Sequence, residues 1–494
     1  MDAVSELLDW FQSSGGEIDQ SSVGFTVFPD CGRGAVALKD IPEGHVLFKI
    51  PRSLLLSTET SALPGRVGLD RWREAKMHMG WVGLILCMMW ETAQGPSSKW
   101  SKYLESLPTT FDTPMFWNDV ELEELKGTSV VGKLGKADAE QDFNEKLLPM
   151  VQSRPDLFPA ETIPIYYTLE IYHVMGSRIL SRSFDVEKDE PEEDTDTEGA
   201  ADTSLGSAMD VDLPPEETES AHGDGDSEHA DTDEEEEEPS GVSMVPLADM
   251  LNARYGSENA KLFHEKDDLR MVSTKPIGAG EQIWNTYGDL PNAELLRRYG
   301  HVDVLPLPNG DLGNPGDVVE ITADLAVAVL QTDDVVTKKR IDWWLEQGGD
   351  DVVVLESDLE VPLALLSLIR LLRLTPDEWE KAVEKDKVPK PKLDTEALEV
   401  VRAVLERRLA EYPTTLDDDA KLLRAENGTT LSLNKRQALI MRIGEKRILQ
   451  STLEKIKAQQ QLAAAEKQKG DDGGRKRKVR PDEEAGRMSK TRRR

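Results

Sequence analysis

The sequence predicts an α+β fold, in which a β-rich unit is split by a helical insertion and followed by an all-α domain. Three observations carry this prediction. Short β-rich runs separated by turn clusters occur near the start and resume after residue 242. Between them, residues 66–184 change to apolar spacings of three and four. From about 315 onward, long amphipathic segments repeat at the same helical spacing.

The elements follow in order. GFTVFPD (24–30), GAVALKDI (34–41) and HVLFKIP (45–51) read as strands, separated by the turn clusters DCGRG (30–34) and PEGH (42–45). LLLS (54–57) adds a further strand, and residues 20–65 make an antiparallel meander. The insertion, 66–184, contains WVGLILCMMWETA, FNEKLLPMVQ and YTLEIYHVMGSRILSRSF. Tyr166, Leu169, Tyr172, Met175 and Ile179 form one stripe, which reads as a helix face packed on a core.

Residues 185–241 are acidic, rich in Ser, Thr, Gly and Pro, and nearly free of large apolar side chains. They cannot bury enough surface to offset their ordering entropy, so disorder is expected. Strand-like sequence returns over 242–303, in VSMVPLADMLNARYG, AKLFHEK and LRMVSTKPI, then the turn GAGE and IWNTYG. PLALLSLIRLLRL, TEALEVVRAVLERRLAEY and the long run from Leu433 place an all-helical domain at 315–465. Residues 467–494 read as a basic, disordered tail.

Composition excludes several classes. Only two cysteines, Cys31 and Cys87, occur in 494 residues, so no disulfide framework is expected and a reducing compartment fits. No Cys/His cluster has zinc spacing and no HExxH occurs, so no metal site is expected. The longest apolar run, 81–90, is too short to span a bilayer. The start is acidic and amphipathic, unlike a signal peptide. A soluble, intracellular protein with no membrane partner is expected. The net charge of −35 is local: residues 185–238 hold 25 Asp/Glu and one Lys, which leaves −11 for the rest.

Familiar nucleotide and hydrolase sites are missing as well. The chain has no GxxxxGK[ST], no GxGxxG after a strand and no GxSxG. Three other stretches remain. CGRGAVALKDI puts Gly32 and Gly34 at the start of a strand, where backbone can approach a ligand closely. PLADMLNA puts Asp249 and Asn252 three apart, which alone is a capping arrangement. NTYGDLPNAELLRRYG puts Tyr287 and Tyr299 twelve apart, each before a glycine. A tyrosine alone is most simply a core residue with one hydrogen bond.

Together, GRG, ADMLN and NTYG in this order resemble the SET-domain lysine methyltransferases. The likeness is to the branch typified by the Rubisco large-subunit methyltransferase, including its fungal ribosomal-protein methyltransferases, and it runs over about 20–460. The resemblance implies a SET fold split by a helical insertion, a helical substrate-binding domain and S-adenosylmethionine as cofactor. It further implies that Gly32, Arg33 and Gly34 meet the cofactor through their backbone, with Arg182, Asn252 and Tyr299 also on the cofactor. Ser183, Phe184 and Asp249 fall on the substrate side, and Tyr287 matches the catalytic tyrosine. Many relatives follow the asparagine with His; here Ala253 stands instead.

The chemistry suits those residue types. Methyl transfer from a sulfonium to an amine needs the lysine neutral, against a free pKa of about 10.4. A narrow apolar channel near the sulfonium disfavours the ammonium. A tyrosine hydroxyl then orients the amine without acting as a strong base. The expected acceptor is a lysine of a basic protein, a large-subunit ribosomal protein above all. A non-catalytic SET-like binder, a histone or other nuclear target, and a histidine acceptor are the alternatives. RKRKVRP (475–481) reads as a nuclear localisation signal rather than a nucleic-acid patch, so a nuclear protein, with some cytoplasmic presence, is expected.

Overall fold

The computed structural model describes residues 3–29, 31–186, 241–331, 334–424 and 431–475. Ahead of the insertion lie β1 (Glu17–Ile18), β2 (Val23–Phe28), β3 (Gly32–Ala37) and β4 (Val46–Pro51). Beyond it come β5 (Ser183–Asp185), β6 (Val242–Met244), β7 (Ala260–His264), β8 (Asp268–Ser273) and β9 (Gln282–Ile283). All pair antiparallel, as a β1-β4-β8-β7 sheet, a β2-β3-β9 sheet and the β5-β6 pair. Alternation sets which face is covered: in β8, Leu269, Met271 and Ser273 are buried and their neighbours are not.

Helices of the insertion close that core. Helix Val82–Ala93 is apolar all round and is buried over most of its length. Its buried Glu91 is satisfied by Ser61 Oγ at 2.9 Å and Ser98 Oγ at 2.7 Å. Helix Leu169–Arg182 starts where Thr168 accepts from the Ile171 amide, and it buries Tyr172, Met175 and Ile179. Tyr166 lies on a separate short helix, Ile163–Tyr166, because Thr168 is extended and breaks the stripe.

Two strand expectations shrink. Arg52–Leu54 is a 3₁₀ turn, and only an isolated Leu56–Met244 bridge remains of LLLS. Leu54, Leu55 and Leu56 are all buried, so the segment lacks a strand's alternation, and the Leu54 carbonyl accepts from Trp100 Nε1. IWNTYG keeps strand geometry only at Ile283, and Asn285 makes a parallel bridge to Ala253.

β5 and β6 join the two sides of the acidic segment. Ser183 faces Met244, Phe184 faces Ser243 and Asp185 faces Val242, and the Val186 amide donates to Gly241 O at 3.0 Å. The rest of that segment, 187–240, lies outside the described residues.

Contacts divide the chain into one unit of Met1–Asp317 with Asp417–Gly444 and a second of Val318–Leu416 with Glu445–Arg494. The first also holds the short pair β10 (Leu305–Pro306) and β11 (Leu312–Gly313). Helix Leu433–Arg475 gives its start to the first unit, where Ala438 and Met441 pack with Trp117 and Leu296. The second unit is helical apart from the pair β12 (Val319–Thr322) and β13 (Val352–Leu355). There Val319, Ile321, Val353 and Leu355 are buried at alternate positions, a period of two inside an otherwise helical pattern. The same long helix continues to Arg475, past the point where a disordered tail was expected, because AAAEKQK is rich in strong helix formers. Residues 476–494 lie outside the described residues. No described helix is long and apolar enough to cross a membrane.

Candidate active site

Gly34 lies where three chain segments converge. A Cβ on it would sit 2.5 Å from Asn252 Nδ2 and 2.7 Å from Gln282 Nε2, a separation real side chains do not adopt. Gly32, two residues earlier, has φ +69°, which favours glycine. Asn252 Nδ2 donates to Arg33 O at 3.3 Å, and Arg33 Nη2 donates to Ser106 O at 2.8 Å. Gln282 is placed by β9, opposite Val36 of β3, and its buried Nε2 has no hydrogen-bond partner.

Asp249 sits in the 3₁₀ turn Ala248–Met250. Leu247 just before it is fully buried with φ +70°, a conformation that costs a branched residue about 1–3 kcal/mol. The surrounding core holds that strain and so fixes the turn. Arg182, the last residue of its helix, donates from Nη1 to Asp249 O at 2.6 Å. Tyr103, from helix Ser101–Ser106 of the insertion, donates to Asp249 Oδ2 at 3.0 Å. Asp249 Oδ1 and Arg182 Nε are buried without hydrogen-bond partners.

The Tyr287 hydroxyl donates to Leu251 O at 3.3 Å, one residue before Asn252. Its ring stacks on Tyr299 with centroids 4.1 Å apart and planes parallel. Helix Asn292–Tyr299 delivers Tyr299 and ends at Gly300, whose φ of +74° terminates the helix in the left-handed region. Burial pushes the Tyr287 phenol up to about 12 and Tyr299 well above the ordinary tyrosine value. Both are therefore neutral hydrogen-bonding groups at physiological pH, not bases. Burial also pushes the Asp249 carboxyl up to about 6, against the pull of Arg182, the Tyr103 hydrogen bond and Arg33.

The structure thus gathers Gly32, Arg33, Gly34 and Asn252 in one cluster, Arg182 with Asp249 in a second, and Tyr287 with Tyr299 in a third. Ser183 and Phe184 stand in β5 as buried residues, and Phe184 belongs to the main apolar core. Tyr103 and Gln282 were not found from sequence. Tyr103 lies 146 residues from its partner, and nothing local in SKYLES marks it. Among the described residues no group of three or more His, Cys, Asp or Glu could hold a metal.

The SET-domain family model matches residues 32–288, from the GRG loop through Tyr287. The chain belongs to the SET-domain family. The Rubisco LSMT substrate-binding family matches residues 331–449 of this SET protein. N-lysine methyltransferase SETD6 of Mus musculus is 30% identical over 477 residues, covering 92% of this chain and 90% of that one. Ribosomal lysine N-methyltransferase 4 of Saccharomyces cerevisiae is 31% identical over 275 residues, covering 55% of this chain and 49% of that one. A solved structure of Rubisco LSMT bound to AdoMet shares the fold, with a TM-score of 0.63 at 21% identity over 93% of this chain and 92% of that one. This SET protein is a protein-lysine N-methyltransferase, and S-adenosylmethionine is its cofactor.

The residues present fit that cofactor. Gly32, at φ +69° and with open space where a Cβ would stand, leaves its backbone approachable, and Gln282 Nε2 and Arg182 Nε are buried donors without a hydrogen-bond partner.

Proposed function

We propose that the chain methylates a lysine of a large-subunit ribosomal protein in the nucleus. In this reading the backbone at Gly32–Gly34, with Arg33, Arg182, Asn252 and Tyr299, holds S-adenosylmethionine. The cofactor supplies a methyl group on a sulfonium. Tyr287 orients the lysine amine by its hydroxyl, and Asp249 lies on the substrate side. The single observation that carries the catalytic part is the neutral, half-buried Tyr287 beside Asn252, its hydroxyl on the Leu251 carbonyl. A neutral phenol can hold an amine lone pair in line but cannot deprotonate an ammonium. The amine must therefore lose its proton to solvent before or during binding.

Three features support the acceptor and the compartment. The yeast relative's name describes a ribosomal lysine methyltransferase. The acidic segment offers electrostatic attraction to a basic protein, and RKRKVRP offers a nuclear address. A second reading, a non-ribosomal lysine acceptor, is favoured by the longer match to murine SETD6, which spans 92% of this chain.

The test uses methyl-labelled S-adenosylmethionine and extracts of cells lacking the gene, with mass spectrometry of the labelled proteins. Label on a large-subunit ribosomal protein is expected. Label only on other proteins selects the second reading. Tyr287→Phe should lower turnover by about tenfold, the equivalent of about 1.4 kcal/mol in the barrier, with cofactor affinity unchanged. Full turnover in that variant removes the catalytic role of the hydroxyl.

A further inference from the structure

One helix of the insertion touches both sides of the site. The Ser106 carbonyl at its C-terminal end accepts from Arg33 of the cofactor loop, and the Tyr103 hydroxyl near its middle donates to Asp249 Oδ2 at 3.0 Å. Just beyond the helix, Arg178 Nε donates to Pro108 O at 2.9 Å and anchors the segment to helix Leu169–Arg182. Tyr103 is 1% exposed and Asp249 8% exposed, so water does not replace either partner. The second carboxylate oxygen, Oδ1, is buried and unpartnered.

A buried acceptor without a donor destabilises the fold, so its retention calls for a reason. We propose that Tyr103 is a positioning residue: by holding Asp249 Oδ2 it fixes the carboxylate plane and reserves Oδ1 for an N–H of the incoming lysine nitrogen. This rests on the reading of Asp249 as a substrate-side group. No covalent step is involved. The carboxylate attracts the cationic side chain as it enters; once the nitrogen has given one proton to solvent, Oδ1 accepts one of its remaining N–H bonds, which fixes the direction of the lone pair.

The groups facing Asp249 can be named element by element. Arg182 comes from helix Leu169–Arg182, Arg33 from β3, Tyr103 from the insertion helix, and the Tyr287 phenol follows β9. The two guanidiniums and the Tyr103 hydrogen bond favour the carboxylate, whereas burial opposes it. Tyr103 stays protonated, since burial and the adjacent carboxylate both push its phenol upward. It therefore always donates. Removing that hydrogen bond must move the titration of Asp249 to higher pH.

A residue that merely fills the core would not shift a pH profile. The decisive measurement is single-turnover methyl transfer between about pH 5 and 9, from labelled S-adenosylmethionine to a soluble extract of cells lacking the gene. The full-length chain is compared with Tyr103→Phe, with Asp249→Asn, and with 2,3-difluorotyrosine placed at 103. Tyr103→Phe should move the acidic limb up by roughly one pH unit with cofactor affinity kept. Difluorotyrosine keeps the shape but is a stronger donor, so it should move the limb down. It decides the matter even if the Phe variant fails to fold. An unmoved limb with difluorotyrosine, while Asp249→Asn loses turnover, overturns the role of Tyr103 and leaves Asp249 standing. Full turnover in Asp249→Asn at every pH overturns the substrate-side reading of Asp249 itself, and the proposal with it.

Discussion

Around Gly34 the protein has no spare volume, whereas around Asp249 it has spare hydrogen-bonding capacity. The first region is closed by two amide side chains that reach into the place of a missing Cβ. The second is closed by a tyrosine and an arginine yet leaves Oδ1 and Nε buried without partners. A site that binds through backbone needs shape, and shape is held by exclusion. A site that receives a charged side chain needs unmet polarity, and unmet polarity costs stability until the ligand arrives.

Gly34→Ala breaks the first region and should give the largest effect. The new methyl group meets only the ends of flexible side chains, so the sheet itself need not move. Asn252 and Gln282 must swing away, and the Asn252 bond to Arg33 O is lost with them. Because flexible side-chain ends give way cheaply, the change falls on the site more than on stability. Affinity for S-adenosylmethionine should fall by about 10- to 100-fold in titration calorimetry, while thermal melting stays close to that of the parent. Unchanged affinity would separate the GRG loop from the cofactor and leave the glycine with a packing role alone.

The contrast also explains what could be read in advance. GRG, ADMLN and NTYG are short local strings that can be recognised together, so the segments that bring Gly34, Asn252 and Tyr287 into the candidate site were legible in them. The strands β2, β3, β4, β7 and β8 were legible through alternation and turn clusters. Tyr103 was not, because its significance lies in a contact 146 residues away. Phe184, which the resemblance places on the substrate side, pairs with Ser243 in β5-β6 and packs in the apolar core, a setting its local sequence did not show. β12 and β13 were hidden because four-residue strands within a long helical pattern give little period to detect.

Asp249→Asn sharpens the second region through stability rather than turnover. A folded carboxyl held at about 6, against an ordinary 3.8, is ionised at neutral pH in spite of its burial. Below about pH 4 it is protonated in folded and unfolded chains alike, so its stabilising contribution is complete there. That contribution is lost as the pH rises through about 6, and the loss amounts to about 3 kcal/mol. Asparagine keeps an oxygen for Tyr103 and carries no charge. The variant should therefore melt higher than the parent at about pH 8 and no higher at about pH 4, although it transfers methyl groups poorly. Equal melting at both pH values would mean that the carboxylate is already compensated, and that the site does not store unmet charge.

The smallest effect is expected where neither region reaches. The chain leaves β5 at Asp185 and re-enters β6 at Val242, which are paired, so the segment 188–240 is attached at one and the same end of the β5-β6 ladder. The Val186 amide donates to Gly241 O at 3.0 Å, so the two ends are already held together by backbone bonding on the described side of the gap. Gly34, Asn252, Asp249 and Tyr287 make all their hydrogen bonds described above without that segment. Replacing it with about six Gly/Ser residues shortens the loop by roughly three halvings, worth about 2 kcal/mol of closure entropy at most. The shortened chain should melt cooperatively at the same temperature or slightly above it, and it should bind S-adenosylmethionine with unchanged affinity. If the segment steers basic acceptors, its loss should appear only as a slower, less salt-dependent association with them. A lower or broadened melt would instead place a structural element inside the segment, and the ladder could no longer be regarded as closing the fold by itself.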